Sequence, residues 1–133
     1  MNISEVEGIG PAYAEKLGGA GVTTVEALLE SGASAKGREA LAEASGISEA
    51  MIRDWVNHAD LMRINGVGPQ FAEMLEASGV DSVPELAQRN AANLATKLDE
   101  VNTAKNLANR TPSLSEVERW IEEAKTLPRI VTH

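Results

Sequence analysis

The chain has 133 residues, no cysteine, and a formal net charge of −8 from 20 acidic and 12 basic residues. The absence of cysteine excludes disulfides and thiolate metal sites, and the negative charge opposes long-range attraction to nucleic acids or acidic membranes. The apolar share of 43% with only 3% aromatic residues is typical of a small globular protein with an aliphatic core. The first residues turn polar at once and no long apolar run follows, so we expect a cytoplasmic protein without a membrane span.

The first predicted element is a tight glycine turn that leads into a helix. Gly8 and Gly10 allow backbone angles that other residues resist, and they leave backbone N–H groups uncovered. Pro11 suits the first helical position, because an N–H there has no partner within the helix. The next N–H groups, at Ala12 and Tyr13, point out of the helix start, where the helix dipole favours an anion.

Helices are predicted throughout, because no stretch alternates with a period of two. The expected helices span about 11–20, 24–31, 35–44, 48–63, 69–78, 82–89, 91–100, 102–109 and 113–126. Thr23 and Ser113 each precede a glutamate by three residues, which predicts capping boxes, and Gly46 is a predicted helix stop. Either Ser82 or Asp81 is expected to cap the sixth helix.

The chain contains an internal repeat. Residues 7–30 align with residues 65–88 at an offset of 58, with ten identities. The identical positions are Gly8, Gly10, Pro11, Ala14, Glu15, Leu17, Gly21, Val22, Val25 and Leu28. A duplication is the simplest explanation, and it predicts two halves, 1–64 and 65–133. Because the helix before the second turn leaves no room for a linker, we expect the halves to be locked together in one compact helical domain.

The end of the repeat is shifted. Trp55 matches Trp120 at an offset of 65, so the second copy has gained seven residues. We expect the insertion near residues 90–93 or 106–111, both rich in turn-forming residues.

The pattern Gly-apolar-Gly-x-x-x-Ala-x-x-Leu, followed by Gly-apolar and a short second helix, resembles the helix-hairpin-helix motif. The tandem arrangement, with a tryptophan helix closing each half, is similar to a bacterial domain-of-unknown-function family of helix-hairpin-helix-like proteins. The resemblance covers nearly the whole chain and implies an all-α fold of two helix-hairpin-helix halves. It implies no particular activity, because that family has no settled one and a fold does not determine function.

No arrangement of side chains predicts catalysis. The only histidines are His58, in mid-helix, and His133, and we expect both to be solvated or structural. Two histidines without a matching carboxylate spacing do not predict a zinc site. The carboxylate pairs at 99–100 and 122–123 diverge on a helix, which favours a solvated face. The glycines precede no strand and no phosphate-binding lysine follows them, so we expect no enzyme activity, cofactor or metal.

The four aromatic residues that could contact a partner are expected to be structural. Trp55 and Trp120 could stack on bases or anchor a partner, but aliphatic residues at helical spacing beside each favour core packing. Tyr13 and Phe71 follow the second glycine of each turn by three residues, and we expect them to wedge the turn against the body.

The candidate binding residues lie in the two turns. They are Gly8, Gly10 and Ala12 in the first turn and Gly66, Gly68 and Gln70 in the second, with Arg63 as a supporting charge. Helix-hairpin-helix proteins that grip a DNA backbone commonly carry Lys or Arg just after the turn, where this chain has Ala12 and Gln70. Glu5, Glu7 and Glu15 surround the first turn and make it a poor anion site.

Two hypotheses for function follow. The preferred one is a non-catalytic binding or scaffolding module for a protein partner or for self-association, and a charge of −8 is compatible with a basic partner. The alternative is binding of a DNA or RNA backbone without sequence specificity through the glycine turns. The segment 127–133 is a candidate contact that docks on its own domain or on a neighbour.

Overall fold

The computed structural model describes all 133 residues and confirms the predicted all-α fold, with no β-strand. A short 3-10 helix at Ile3–Glu5 precedes eight α-helices. These are α1 (Pro11–Gly19), α2 (Val25–Ser31), α3 (Ala35–Ser45), α4 (Glu49–Leu61), α5 (Pro69–Ala77), α6 (Val83–Ala87), α7 (Ala91–Lys105) and α8 (Leu114–Thr126). None of them is long and apolar enough to cross a membrane.

The backbone forms two compact units. Unit 1 comprises Met1–Asp60 together with Ile130–His133, and unit 2 comprises Leu61–Arg129. The last four residues therefore pack with the first unit. The division into repeated halves at 64/65 rests on sequence similarity rather than on packing, and it stays a prediction.

The helix ends of unit 1 follow from local residue chemistry. Thr24 caps α2, because its Oγ1 accepts the N–H of Ala27 at 3.0 Å. Gly46 ends α3 in the left-handed conformation with φ of 74°, which confirms the predicted stop. The capping box predicted from Thr23 is wrong. The cap lies one residue later, so Glu26 occupies the second helical position instead of the third that a box requires.

Two helix starts in unit 2 were also predicted. Ser113 Oγ accepts the N–H of Glu116 at 3.2 Å, and the Glu116 carboxylate accepts the N–H of Ser113 at 3.0 Å, which confirms the capping box of α8. Of the two alternatives for α6, Ser82 rather than Asp81 is the cap, since its Oγ accepts the N–H of Glu85 at 3.3 Å.

Helix α7 is longer than predicted. The sequence predicted separate helices at 91–100 and 102–109, whereas the structure has one helix of 15 residues. No glycine or proline interrupts this run, and Val101 is buried in the core of unit 2, so packing carries the helix past the expected break. Asn106 ends it in the left-handed conformation with φ of 51°.

The helix bounds show where the seven residues lie that separate the offset of 58 from the offset of 65. Helix α7 has 15 residues where α3 has 11, and the loop at 106–113 has eight where the loop at 46–48 has three. Helix α6, with five residues, is two shorter than α2. Most of the additional length therefore lies at the end of α7 and in the loop after it, which includes the second of the two expected places.

Both tryptophans are core residues, as predicted. Trp55 on α4 is 4% exposed and Trp120 on α8 is 2% exposed. Helical spacing also predicts an apolar face of Val117, Trp120, Ile121, Ala124 and Leu127 on α8. The first four are buried, whereas Leu127 is the C-cap and only half-buried. Each unit thus buries one indole, the largest side chain in its core.

We expect Trp55→Ala and Trp120→Ala each to lower the free energy of unfolding by roughly 3–5 kcal/mol, because each leaves a large cavity. Urea denaturation followed by far-UV circular dichroism measures the change. Phenylalanine at either position serves as the control and should cost less, since it fills most of the cavity. An alanine variant as stable as the wild type would contradict the buried position of the ring.

Candidate binding site at the glycine turns

The first glycine turn, residues 6–10, follows from the missing side chain of one glycine. The N–H of Ile9 donates to the carbonyl of Val6 at 3.1 Å, which closes the turn, and Gly8 between them has φ of +91°. This conformation is disfavoured for residues with a Cβ. A Cβ on Gly8 would also lie 3.2 Å from Nε1 of Trp55, so the chain passes close against the edge of the indole.

The second glycine turn, residues 64–68, has the same local geometry. The N–H of Val67 donates to the carbonyl of Ile64 at 3.1 Å, and Gly66 has φ of +90°. A Cβ on Gly66 would lie 3.2 Å from Nε1 of Trp120. The closing hydrogen bond, the glycine with positive φ and its approach to an indole Nε1 therefore all recur in unit 2.

The helices that leave these turns begin without a side-chain cap. Gly10 and Gly68 occupy the N-cap positions of α1 and α5 in extended conformation, and neither helix start receives a side-chain hydrogen bond. The first helical bonds are donated by Ala14 and Ala72, each at 2.9 Å. At the other helix starts, by contrast, a serine, threonine or asparagine accepts a backbone N–H; these caps are Thr24, Ser34, Ser48, Ser82, Asn90 and Ser113.

The uncapped starts leave specific donors open. The N–H groups of Ala12 and Tyr13 in α1, and of Gln70 and Phe71 in α5, precede the first helical hydrogen bond. Ala12 and Gln70 are exposed at these positions. Each turn therefore presents backbone donors, at the positive end of a helix dipole, to an acceptor from outside.

An aromatic pair fixes each helix start against the tryptophan beneath it. The rings of Tyr13 and Trp55 have their centroids 5.2 Å apart, and those of Phe71 and Trp120 are 5.5 Å apart. Tyr13 and Phe71 are half-buried, in agreement with the predicted wedge. The donors therefore belong to a rigid element.

The first turn lies in acidic surroundings. Residues 4–10 line an open cavity of about 340 Å³, and Glu5 and Glu7 are among them. One oxygen of Glu5 already accepts the N–H of Asn2 at 3.1 Å. A nearby cation is the exposed Lys16, whose Nζ lies 5.8 Å from the centre of the Tyr13 ring. The carboxylates at this cavity attract cations rather than phosphate groups.

The second turn holds a carboxylate that the sequence did not place there. Glu123 on α8 accepts the N–H of Asn65 at 3.0 Å, directly before Gly66. Its neighbour Glu122 is exposed and pairs with Lys125 at 3.0 Å. The two adjacent carboxylates do diverge, as expected, but one of them reaches the turn instead of facing only solvent.

The cation proposed to support the second turn has its own contact. Arg63 is half-buried, and its Nη2 donates to the carbonyl of Pro128 at 2.6 Å. A second cation, which sequence analysis missed, lies over the Phe71 ring on α5. Arg110 lies 5.2 Å from the centre of the Phe71 ring and is 39 residues away in sequence, so no local pattern reveals it.

The seven predicted residues therefore form two groups. Gly8, Gly10 and Ala12 are exposed on unit 1. On unit 2, Gly66 and Gln70 are exposed, while Gly68 and Arg63 are half-buried. Of the two histidines, His58 is buried in α4 and His133 is exposed. No group of three or more His, Asp or Glu side chains is arranged to hold a metal ion.

The fold and the turns define an all-α protein of two units, each with a positive-φ glycine turn packed on a tryptophan. Residues 7–127 match the family described as Domain of unknown function (DUF4332), and the chain belongs to that family. The match contains the second turn, residues 7–10 of the first turn and both tryptophans, and it stops before Ile130–His133. Comparisons with curated proteins and with solved structures find no match.

We expect Gly8→Ala and Gly66→Ala each to destabilise the protein by roughly 1–2 kcal/mol, because a Cβ is strained at φ near +90° and approaches the indole. Gly10→Ala is the matched control. Its φ is −83° and its Cβ would meet nothing within 4 Å, so its stability should stay close to that of the wild type. Equal urea midpoints for all three variants would contradict the role of the positive φ.

An ion pair at the start of α8 predicts a pH dependence for unit 2. Arg110 donates two hydrogen bonds to the Glu116 carboxylate, at 2.7 and 2.9 Å. These bonds, followed by the one from the Ser113 N–H, lower the pKa of Glu116 from 4.5 to about 2. A carboxylate with a lowered pKa stabilises the fold above its unfolded pKa, and this contribution is lost as the pH falls towards the folded value.

We therefore expect Glu116→Gln to remove part of the loss of stability between about pH 4.5 and pH 2. Urea midpoints across this range, followed by Trp120 fluorescence in a Trp55→Phe background, measure it. Glu118→Gln, at an exposed position on the same helix, is the control, and its stability should depend on pH as strongly as that of the wild type. Parallel curves for both variants would show that the ion pair contributes nothing.

Proposed function

We propose that the two glycine turns belong to helix-hairpin-helix motifs that arose by duplication. The support is local. The turn glycines have φ of +91° and +90°, both turns pack on an indole Nε1, and α1 and α5 each have nine residues. The connections after these helices also agree, since Gly21 and Gly79 have φ of +89° and +93°.

We further propose that the protein is a non-catalytic binding or scaffolding module whose glycine turns contact a protein partner. The observation that carries this proposal is the pair of helix starts without side-chain caps, at which Ala12 and Gln70 are exposed. A partner supplies the missing acceptors, as backbone carbonyl groups or as short polar side chains.

The charge around the first turn favours a basic partner. Glu5 and Glu7 line the cavity beside the uncapped start of α1, and the whole chain has a net charge of −8. A segment that combines a carbonyl acceptor with a neighbouring Lys or Arg matches both the N–H donors and the carboxylates. Self-association is a special case in which a basic surface of a second copy plays this role.

A serine at the N-cap tests the proposal without disturbing the fold. In Gly10→Ser and Gly68→Ser, the new hydroxyl caps the helix from within and occupies the donors that a partner would use. Both positions have extended backbone and space for a Cβ, so the stability should stay the same or rise slightly. We expect the double variant to lose a partner that the wild type retains in quantitative pull-down and cross-linking.

The control is Gly19→Ser, at the exposed last residue of α1, where a Cβ also meets nothing within 4 Å. It should bind like the wild type. Sedimentation equilibrium of the wild type and the double variant separates self-association from binding of another protein. Equal binding by the double variant and the wild type would remove the turns from the proposal.

Binding of a nucleic-acid backbone is the second candidate, and the uncapped start of α5 favours it. Gln70 is exposed there, and Arg63 lies near in sequence. The Glu123 carboxylate at Asn65 opposes a phosphate at this turn. Such binding would neutralise few phosphates. Its affinity would therefore be low and would change only weakly with salt concentration.

Fluorescence anisotropy at low salt, with single- and double-stranded DNA and RNA, tests this candidate. Saturable binding that Gly68→Ser abolishes and Gly19→Ser retains would support it. Absence of binding at low salt would remove it and leave the protein partner as the remaining candidate.

A further inference from the structure

The corner between α2 and α3 in unit 1 contains a buried cation that no role described so far uses. Arg38 is 3% exposed. Its Nη1 donates to the carbonyls of Gly32 and Ala33 at 2.8 and 3.2 Å, and its Nη2 donates to the carbonyl of Thr132 at 2.7 Å. All these acceptors are backbone oxygens, and burial lowers the pKa of the guanidinium, with the charge of Glu49 acting in the opposite direction.

The corner is held in one shape by two close contacts of glycine. A Cβ on Gly32 would collide with Val56 on α4, and one on Gly37 would collide with the carbonyl of Ser31. Ser34 caps α3 between them, since its Oγ accepts the N–H of Gly37 at 3.0 Å. The carbonyl groups around Arg38 are therefore fixed by local packing of α2, α3 and α4.

The segment Ile130–His133, here called the tail, is hydrogen-bonded to this corner and belongs to neither a helix nor a strand. The N–H of Thr132 donates to the carbonyl of Ala33 at 2.7 Å, while its own carbonyl accepts from Arg38. Val131 is 2% exposed, whereas Ile130 before it is 37% exposed. One residue of the tail is thus bound through both of its backbone groups, and the side chain before it is buried.

This combination has the parts of a peptide-recognition site. Backbone bonds in both directions hold an extended segment, and a pocket selects one side chain. Such a site needs a fixed acceptor, a fixed donor and a buried side chain of the bound segment. Here Ala33 accepts, Arg38 donates and Val131 is the buried side chain. The remaining side chains of the tail are exposed, so they add little to the recognition.

We propose that the α2–α3 corner of unit 1 is a binding site for an extended peptide, which the tail of the same chain fills and which accepts the same segment supplied in trans once the tail is removed. The inference is independent of the glycine turns. It assigns to Arg38 the recognition of a peptide carbonyl and to Ala33 the recognition of the N–H of the same residue.

The experiment deletes residues 130–133 from the full chain and follows Trp55 fluorescence in a Trp120→Phe background, so that the signal comes from unit 1. We expect the melting temperature to fall by on the order of 5–10 °C, because a buried valine and hydrogen bonds to a charged group are lost. A synthetic peptide of residues 128–133 should restore the temperature in a saturable manner and bind the shortened protein in fluorescence anisotropy.

Variants of the peptide keep the test independent of protein folding. Proline in place of Thr132 removes the N–H that Ala33 accepts and should weaken binding roughly tenfold or more. Aspartate in place of Val131 should also abolish binding, because the Val131 side chain is buried and a buried carboxylate is costly. Aspartate in place of Ile130 is the matched control, since that side chain is exposed, and should bind like the parent peptide.

On the protein side, Arg38→Met keeps the aliphatic stem and removes the donors, so the shortened Arg38→Met protein should no longer bind the peptide. If Arg38→Met fails to fold, Arg38→Lys is used in its place. Its compact ammonium lacks the planar fork of the guanidinium, so the shortened Arg38→Lys protein should bind the peptide more weakly. The proposal is overturned if the shortened protein does not bind the peptide, or if the Thr132→Pro and parent peptides bind equally.

Discussion

The approach of a bare glycine to an indole edge is the constraint on which the rest of the candidate site depends. Gly8 and Trp55 are 47 residues apart in sequence, yet a single added carbon would bring them to 3.2 Å. Because the glycine has no side chain, the chain can turn at positive φ directly over the buried ring. The proline that follows then starts a helix at a fixed place, with Gly10 as its N-cap. A glycine cannot cap through its side chain, so the helix begins with its donors uncovered.

The surroundings of the two helix starts determine what those donors can bind. The positive end of a helix dipole attracts negative charge, but Glu5 and Glu7 at one turn and Glu123 at the other already supply it. A polyanion would meet these carboxylates at short range, where screening by salt is weakest. Neutral carbonyl acceptors with a cation beside them avoid that repulsion. This balance is the reason for proposing a protein partner before a nucleic acid.

Local features of the fold could be predicted from the sequence, and contacts distant in sequence could not. The residue types alone indicated the glycine turns and the buried face of α8, because each signal lies within a few residues. The extra contacts near the second turn are those of Glu123 with Asn65 and of Arg110 with the Phe71 ring, which form only after the helices have packed. The break predicted between residues 100 and 102, where the structure has the single helix α7, was wrong for the same reason. Local propensity was ambiguous near Val101, and burial in the core decided it.

The two surfaces proposed for binding share one physical basis, which is recognition through the backbone. The glycine turns offer N–H donors without side-chain caps, and the α2–α3 corner offers the carbonyl of Ala33 beside the guanidinium of Arg38. Backbone groups are the same in every residue, so such contacts constrain the conformation of a bound segment more than its sequence. Selectivity must then come from a few side chains, such as the buried Val131 and the carboxylates of the first turn. A partner of the proposed kind would therefore be defined by an extended or exposed backbone and one or two matching side chains. For this reason the residue types alone specify a mode of contact more clearly than a ligand.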